Sequence, residues 1–122
     1  MEFHPMGIDQ LQEQKKAEKL EVESYFNGMG FERWNRIYSE SKEVNNVQRN
    51  IRVGHQKTVD DVLKWIKESG TLDNLSFCDA GCGVGSLTLP LAALNIGSIY
   101  ASDISESMIK ETKLRAESAK LD

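Results

Sequence analysis

The sequence predicts an α/β fold, a helical arm followed by the opening βαβ unit of a parallel sheet. Three observations predict it. An alternating run from Leu75 to Asp79 leads into a glycine loop at Gly81, Gly83 and Gly85. A second short run, Ser98 to Ser102, ends on an acid, Asp103. Ahead of both lie some sixty residues that carry helical rather than strand periodicity.

Taken in order, Gln10 to about Phe26 is rich in Gln, Glu and Lys with sparse apolar positions, which predicts a helix that is mostly solvated. Asn27, Gly28, Met29 and Gly30 break its period. A second helix is expected from about Glu32 to Glu40, with Phe31, Trp34, Ile37 and Tyr38 sharing one face. A third amphipathic stretch carries Val44, Val47, Ile51, His55, Val59, Val62 and Ile66 at steps of three and four. It crosses Gly54 without losing phase, so a kink or a close packing contact is expected there. Gly70, Asp73 and Asn74 mark a turn that divides an arm or cap, residues 1–69, from the sheet half, residues 70–122.

In the second half, Leu75 to Asp79 reads as a buried first strand presenting Asp79 at its C-terminal edge. Glycines at every second position of the following loop permit backbone geometry that a Cβ forbids, and let the main chain approach a ligand closely. Ser86 and Leu87 open a helix, Pro90 falls within its first turns, and Gly97 is placed to end it. Asp103, at the tip of the second strand and about 20 residues beyond the loop, is placed to accept hydrogen bonds from ribose hydroxyls. A final helix with Ile109 and Leu114 as its main apolar anchors follows Met108.

A dinucleotide fingerprint requires Gly or Ala at the sixth loop position, where this chain has Ser86, and it lacks an acid two residues before the first glycine, where this chain has Asp79. A pyrophosphate would be repelled by that acid, which argues against a dinucleotide. Cys78 and Cys82 form a C-x₃-C pair without a second pair, so reduced thiols are expected and no metal site. Arg33, Arg36, Arg49 and Arg52 are either receptors for substrate carboxylates or solvated helix charges. His55, alone in an apolar stripe, reads as a satisfied, partly buried imidazole. The aromatic face of Phe31, Trp34 and Tyr38 reads as core, or as the wall of a pocket for a flat substrate.

With 122 residues, 39% apolar and 28% charged, the composition is that of an ordinary globular chain with one modest core. A formal net charge of -4 argues against general affinity for nucleic acid. No apolar run has membrane-spanning length, and the opening MEFHPMGIDQ shows neither a signal-peptide core nor a transit peptide. Two strands are too few to form a doubly wound sheet, so the chain reads as a truncated part of a longer enzyme.

The pattern D-x-G-C-G-x-G, Asp79 to Gly85, followed by D-I-S-x-x-M, Asp103 to Met108, resembles motif I and the adjacent acidic motif of class I S-adenosylmethionine-dependent methyltransferases. The resemblance implies a Rossmann-like sheet preceded by the helical arm, with S-adenosylmethionine as methyl donor. It implies that Asp79 supports the glycine turn and the amino-acid end, that Gly81, Gly83 and Gly85 form the cofactor loop, that Asp103 holds the ribose, and that Ile104 and Met108 flank the adenine. The run from Tyr25 to Ile66, with GFERWNRIY and VNNVQRNIRVGH as its distinctive segments, resembles the magnesium-protoporphyrin IX methyltransferases of chlorophyll biosynthesis.

That second resemblance implies methyl transfer to a porphyrin propionate and an N-terminal arm over cofactor and substrate. It implies that magnesium arrives with the porphyrin, that Tyr38 positions the reacting ends, and that magnesium chelatase is a partner. It also implies a plastid location, or the cytoplasm in a prokaryote. Two alternatives stand beside it: a methyltransferase acting on another small molecule such as a quinone or phenol, and a non-catalytic, partner-binding fragment.

Overall fold

The computed structural model describes residues 7–121. Most of the leader reading on MEFHPMGIDQ lies outside them. The element order is α1 (Ile8–Asn27), α2 (Met29–Ile37), α3 (Asn46–Glu68), β1 (Ser76–Ala80), α4 (Thr88–Ala92), β2 (Ser98–Ser102) and α5 (Glu106–Ser118). β1 and β2 pair in parallel, with Ser76 opposite Ser98 and Ala80 opposite Ser102, as a βαβ unit requires.

α1 is solvated over most of its length and contributes no buried residue. Gly28 stops it, and α2 begins at Met29, three residues earlier than the periodicity suggested, and ends at Ile37. Gly30 lies inside its first turn instead of breaking it. A Cβ on Gly30 would stand 2.8 Å from the Tyr25 carbonyl oxygen and closer still to the Tyr25 ring, so glycine is what lets two consecutive helices meet at so tight a corner. Ile37 is fully buried, with Phe31, Trp34 and Tyr38 half-buried around it, so the predicted face is the packed face.

α3 is one uninterrupted helix, capped by Asn45, whose side chain accepts from the Gln48 N–H at 2.8 Å. Val44 therefore precedes the helix, and Val47 is exposed. Among the described residues nothing lies within 4 Å of a Cβ built at Gly54, so the close packing contact expected there is not seen. The glycine faces open space on the solvent side.

The sheet half departs from expectation in three places. β1 is not buried: its residues alternate between exposed and intermediate, because among the described residues one strand, β2, pairs with it. α4 has five residues and ends at Ala92, so Gly97 does not terminate it. Gly97 instead crosses against the β1 entry, where a Cβ would stand 2.7 Å from Leu75 O and 2.9 Å from Asp73 O. On α5 the buried anchors are Met108 and Thr112, one helical turn apart, while Leu114 is exposed.

The glycine loop packs directly on α5. Gly85 has φ 87°, and a Cβ there would meet Thr112 Cγ2 at 2.9 Å and Leu89 Cγ at 3.1 Å. The Thr112 hydroxyl donates to Gly83 O at 2.8 Å in the same contact. Gly85→Ala is therefore expected to lower stability by about 1–3 kcal/mol for the left-handed backbone alone, with overpacking adding to it. Urea denaturation measures this, and a change within experimental error would contradict the packing described.

Candidate functional site

The loop from Gly81 to Gly85 is fastened to the end of β2 and to the residue that follows it. The Gly81 and Cys82 N–H groups donate to Ser102 O at 2.7 and 2.9 Å. The Gly83 N–H donates to Asp103 Oδ2 at 2.9 Å, and the other carboxylate oxygen, Oδ1, accepts from the Ser105 N–H at 2.9 Å. Positive φ at Gly81, Gly83 and Gly85, 74°, 56° and 87°, makes this path possible. Asp79 lies one strand residue upstream and accepts from the Thr88 hydroxyl at 2.5 Å, which ties the end of β1 to α4.

A cavity of about 320 Å³ opens beside this loop, lined by Gly81, Gly83, Val84, Asp103 and Met108 from the sheet half and by Phe26, Trp34 and Tyr38 from the arm. Gly81, Gly83, Asp103, Met108 and Tyr38, named from sequence, thus meet around one space. Asp79 and Gly85 stand behind the loop as supports, outside the lining. Ile104 also stands outside it and is 38% exposed. The motifs did not single out Phe26. The one sequence signal for it is its place just before the Asn27–Gly28 break that turns α1 into α2.

Each Asp103 oxygen holds one backbone N–H, and an ionised carboxylate offers about four lone-pair sites, so acceptor capacity remains toward the cavity. The Cys82 thiol, buried at the loop, has its pKa raised by burial first and then by the carboxylates of Asp103 and Asp79. It is a neutral packing group, as the cysteine spacing implied. Cys78, by contrast, is exposed on β1.

The arm supplies an aromatic ladder. Trp34 stacks on Tyr38 with centroids 5.6 Å apart, and Tyr38 stacks on His55 at 4.1 Å. Burial pushes the Tyr38 phenol pKa up, so the ring keeps its proton and its donor at neutral pH. His55 is partly buried, but it is not satisfied: its Nε2 is buried without a hydrogen-bond partner among the described residues. Beyond the ladder lies a larger, more open cavity of about 940 Å³ whose lining includes Tyr38, Val53, His55, Lys57, Ser86 and Arg115. Tyr38 lines both spaces.

Of the four arginines considered as carboxylate receptors, Arg52 is committed elsewhere. Its Nε donates to Ile37 O at 2.6 Å and its Nη2 to Arg36 O and Ser41 O at 2.9 Å each, which ties the end of α2 and the loop after it to α3. Arg33, Arg36 and Arg49 are exposed.

A family model described as a methyltransferase domain matches residues 78–121. The chain is 52% identical over 100 residues to the magnesium-protoporphyrin O-methyltransferase of Synechocystis sp., covering 82% of this chain and 43% of that one. It is 45% identical over 107 residues to the chloroplastic magnesium protoporphyrin IX methyltransferase of Arabidopsis thaliana, covering 88% and 34%. The crystal structure of the Synechocystis enzyme with bound S-adenosylmethionine superposes with a TM-score of 0.79 at 51% identity, over 84% of this chain and 48% of that one. The chain thus spans less than half the length of the relatives it matches.

The desolvated His55 generates a pH dependence. Burial lowers its folded pKa below the unfolded value of about 6.5. The unfolded chain therefore binds more protons in that region, so this contribution to stability is present above about pH 6.5 and is lost as pH falls below it. Denaturation midpoints measured from about pH 8 down to about pH 5 should fall less steeply in His55→Phe than in the parent. Parallel profiles would show that the imidazole is not desolvated.

Proposed function

We infer that this chain, which belongs with the magnesium-protoporphyrin IX methyltransferases over the segment it spans, binds S-adenosylmethionine at its glycine loop. There it serves methyl transfer to a propionate carboxylate of magnesium protoporphyrin IX. The observation that carries this reading is the shared wall: Tyr38 borders both the smaller cavity at the glycine loop and the larger cavity beside it.

The smaller cavity suits the cofactor. Its volume is at the lower end of ligand pockets, roughly 300 to 1,000 Å³. Gly81 and Gly83 present bare main chain, Asp103 offers acceptor capacity to ribose hydroxyls, and Met108, Phe26 and Trp34 offer apolar and aromatic surface to a purine. Ile104 is left outside this assignment. Asp79 and Asp103 also bias the region toward a ligand carrying positive charge.

When bound, S-adenosylmethionine supplies an activated methyl group on a cationic sulfur. The chain needs little acid–base equipment in return. A propionate with a pKa near 4 to 5 is already an anion at neutral pH, so no base is required to prepare its oxygen. The larger cavity, with Lys57 at its edge, is assigned to the porphyrin, and magnesium enters with that substrate. The protonated Tyr38 phenol is assigned to orienting the propionate where the two cavities adjoin, with the aromatic ladder excluding water. Such an enzyme works where magnesium porphyrin is made, in a plastid or in a prokaryotic cytoplasm, and magnesium chelatase is the partner class that would hand it the substrate.

Two measurements test this. Calorimetric titration with S-adenosylhomocysteine should show binding that Asp103→Ala weakens by about 1–3 kcal/mol, and equal affinity in the variant would remove Asp103 from the cofactor site. A chimera in which this chain replaces the matched segment of the Synechocystis relative should form the porphyrin methyl ester, with Tyr38→Phe slower by roughly tenfold to a hundredfold. A folded, cofactor-binding chimera that leaves the porphyrin unmethylated would exclude the substrate assignment.

A further inference from the structure

Two hydrogen-bond clusters join the arm to the sheet half, and both end on α5 or its cap. At the start of α5, the single Ser105 hydroxyl proton is shared between Phe26 O at 2.8 Å and Asn27 Oδ1 at 2.7 Å, and the Ser107 N–H donates to Asn27 Oδ1 at 3.1 Å. Near the other end, Arg115 Nη1 donates to Tyr38 O at 3.0 Å and Nη2 to Asn35 Oδ1 at 2.6 Å, while Nε pairs with Glu111 Oε1 at 3.1 Å. Ten residues separate Ser105 from Arg115, about 15 Å of helix, and the span from Asn27 to Tyr38 along α2 is nearly the same. α5 therefore grips α2 just before its first residue and just after its last.

We propose that Arg115 is a positioning residue that fixes the last turn of α2, and with it Trp34 and Tyr38, as the wall between the two cavities. The planar guanidinium suits this task because it directs donors to three acceptors in fixed geometry, which an ammonium does not. The Glu111 pair by itself would add little, but it orients the fork toward α2. Arg52 also binds the end of α2, yet it comes from α3 in the same arm, so it shapes the arm without tying it to the glycine loop. The consequence for catalysis rests on the role assigned to Tyr38 above; the placement of the wall does not.

The test therefore reads placement first. With Trp65→Phe, the chain keeps Trp34 as its only tryptophan. Adding Arg115→Met should shift Trp34 emission to longer wavelength and raise its quenching by acrylamide, with Arg115→Lys failing to restore the parent values. Asn35→Ala, which leaves Arg115 and Glu111 in place, should move emission in the same direction and guards against Arg115→Met failing to fold. Parent-like emission and quenching in a folded Arg115→Met or Asn35→Ala variant would overturn the proposal.

In the chimera, Arg115→Met should lower kcat by roughly tenfold or more, and its effect should shrink once Tyr38 is already Phe. Losses that multiply would show that Arg115 does not act through Tyr38. A chimera without methyl transfer would count against the function, while the emission of Trp34 still decides the placement.

Discussion

The carboxylate of Asp103 is the point where three parts of this molecule meet. Through Oδ2 it holds the Gly83 N–H and so shapes the loop, and through Oδ1 it holds the Ser105 N–H at the start of α5. Ser105 in turn is fully buried and reaches the end of α1 through Phe26 and Asn27. One acid thus connects the glycine loop, the helix beneath it and the arm above. The bonds are charge-assisted and partly shielded from water, where such bonds are strongest.

Around that point the chain separates apolar from charged work. The packed surface is small: Ile37, Val59, Val84, Leu91 and Met108 are its main buried apolar side chains. The arm is therefore held less by a shared core than by directed hydrogen bonds. Asn27 is grasped by Ser105 and Ser107, and Asn35 and Tyr38 by Arg115. Directed bonds fix orientation, and those on Asn35 and Tyr38 hold the segment that carries the Trp34 and Tyr38 rings beside the cavity at the loop.

Electrostatics at the loop is consistent with one class of ligand. Asp79 and Asp103 are close enough to the buried Cys82 thiol to raise its pKa together with burial. A phosphate in their field would be disfavoured and a cation favoured. The aromatic ladder ends on His55, whose pKa burial lowers, so the imidazole itself adds no positive charge at neutral pH.

Much of this was legible in the chain itself, because the relevant constraints are local. The glycine spacing, the strand alternation and the acid after β2 each depend on neighbours a few residues away, and they specified the loop, the parallel pair and the gathering of Gly81, Gly83 and Asp103. The face of Phe31, Trp34, Ile37 and Tyr38 followed from helical geometry in the same way. What periodicity did not reveal depends on contacts between distant segments. Arg52 looked like a free cation until the carbonyls of Arg36, Ile37 and Ser41 came within its reach. Gly97 looked like a helix stop and is a crossing point against Leu75, and Ile104, expected to flank a ligand, stands outside the lining of the cavity beside the loop. Sequence determined which groups the loop and the arm carry. Only the tertiary structure decided which of those groups face each other, because a hydrogen bond between residues 77 to 80 positions apart leaves no period to read.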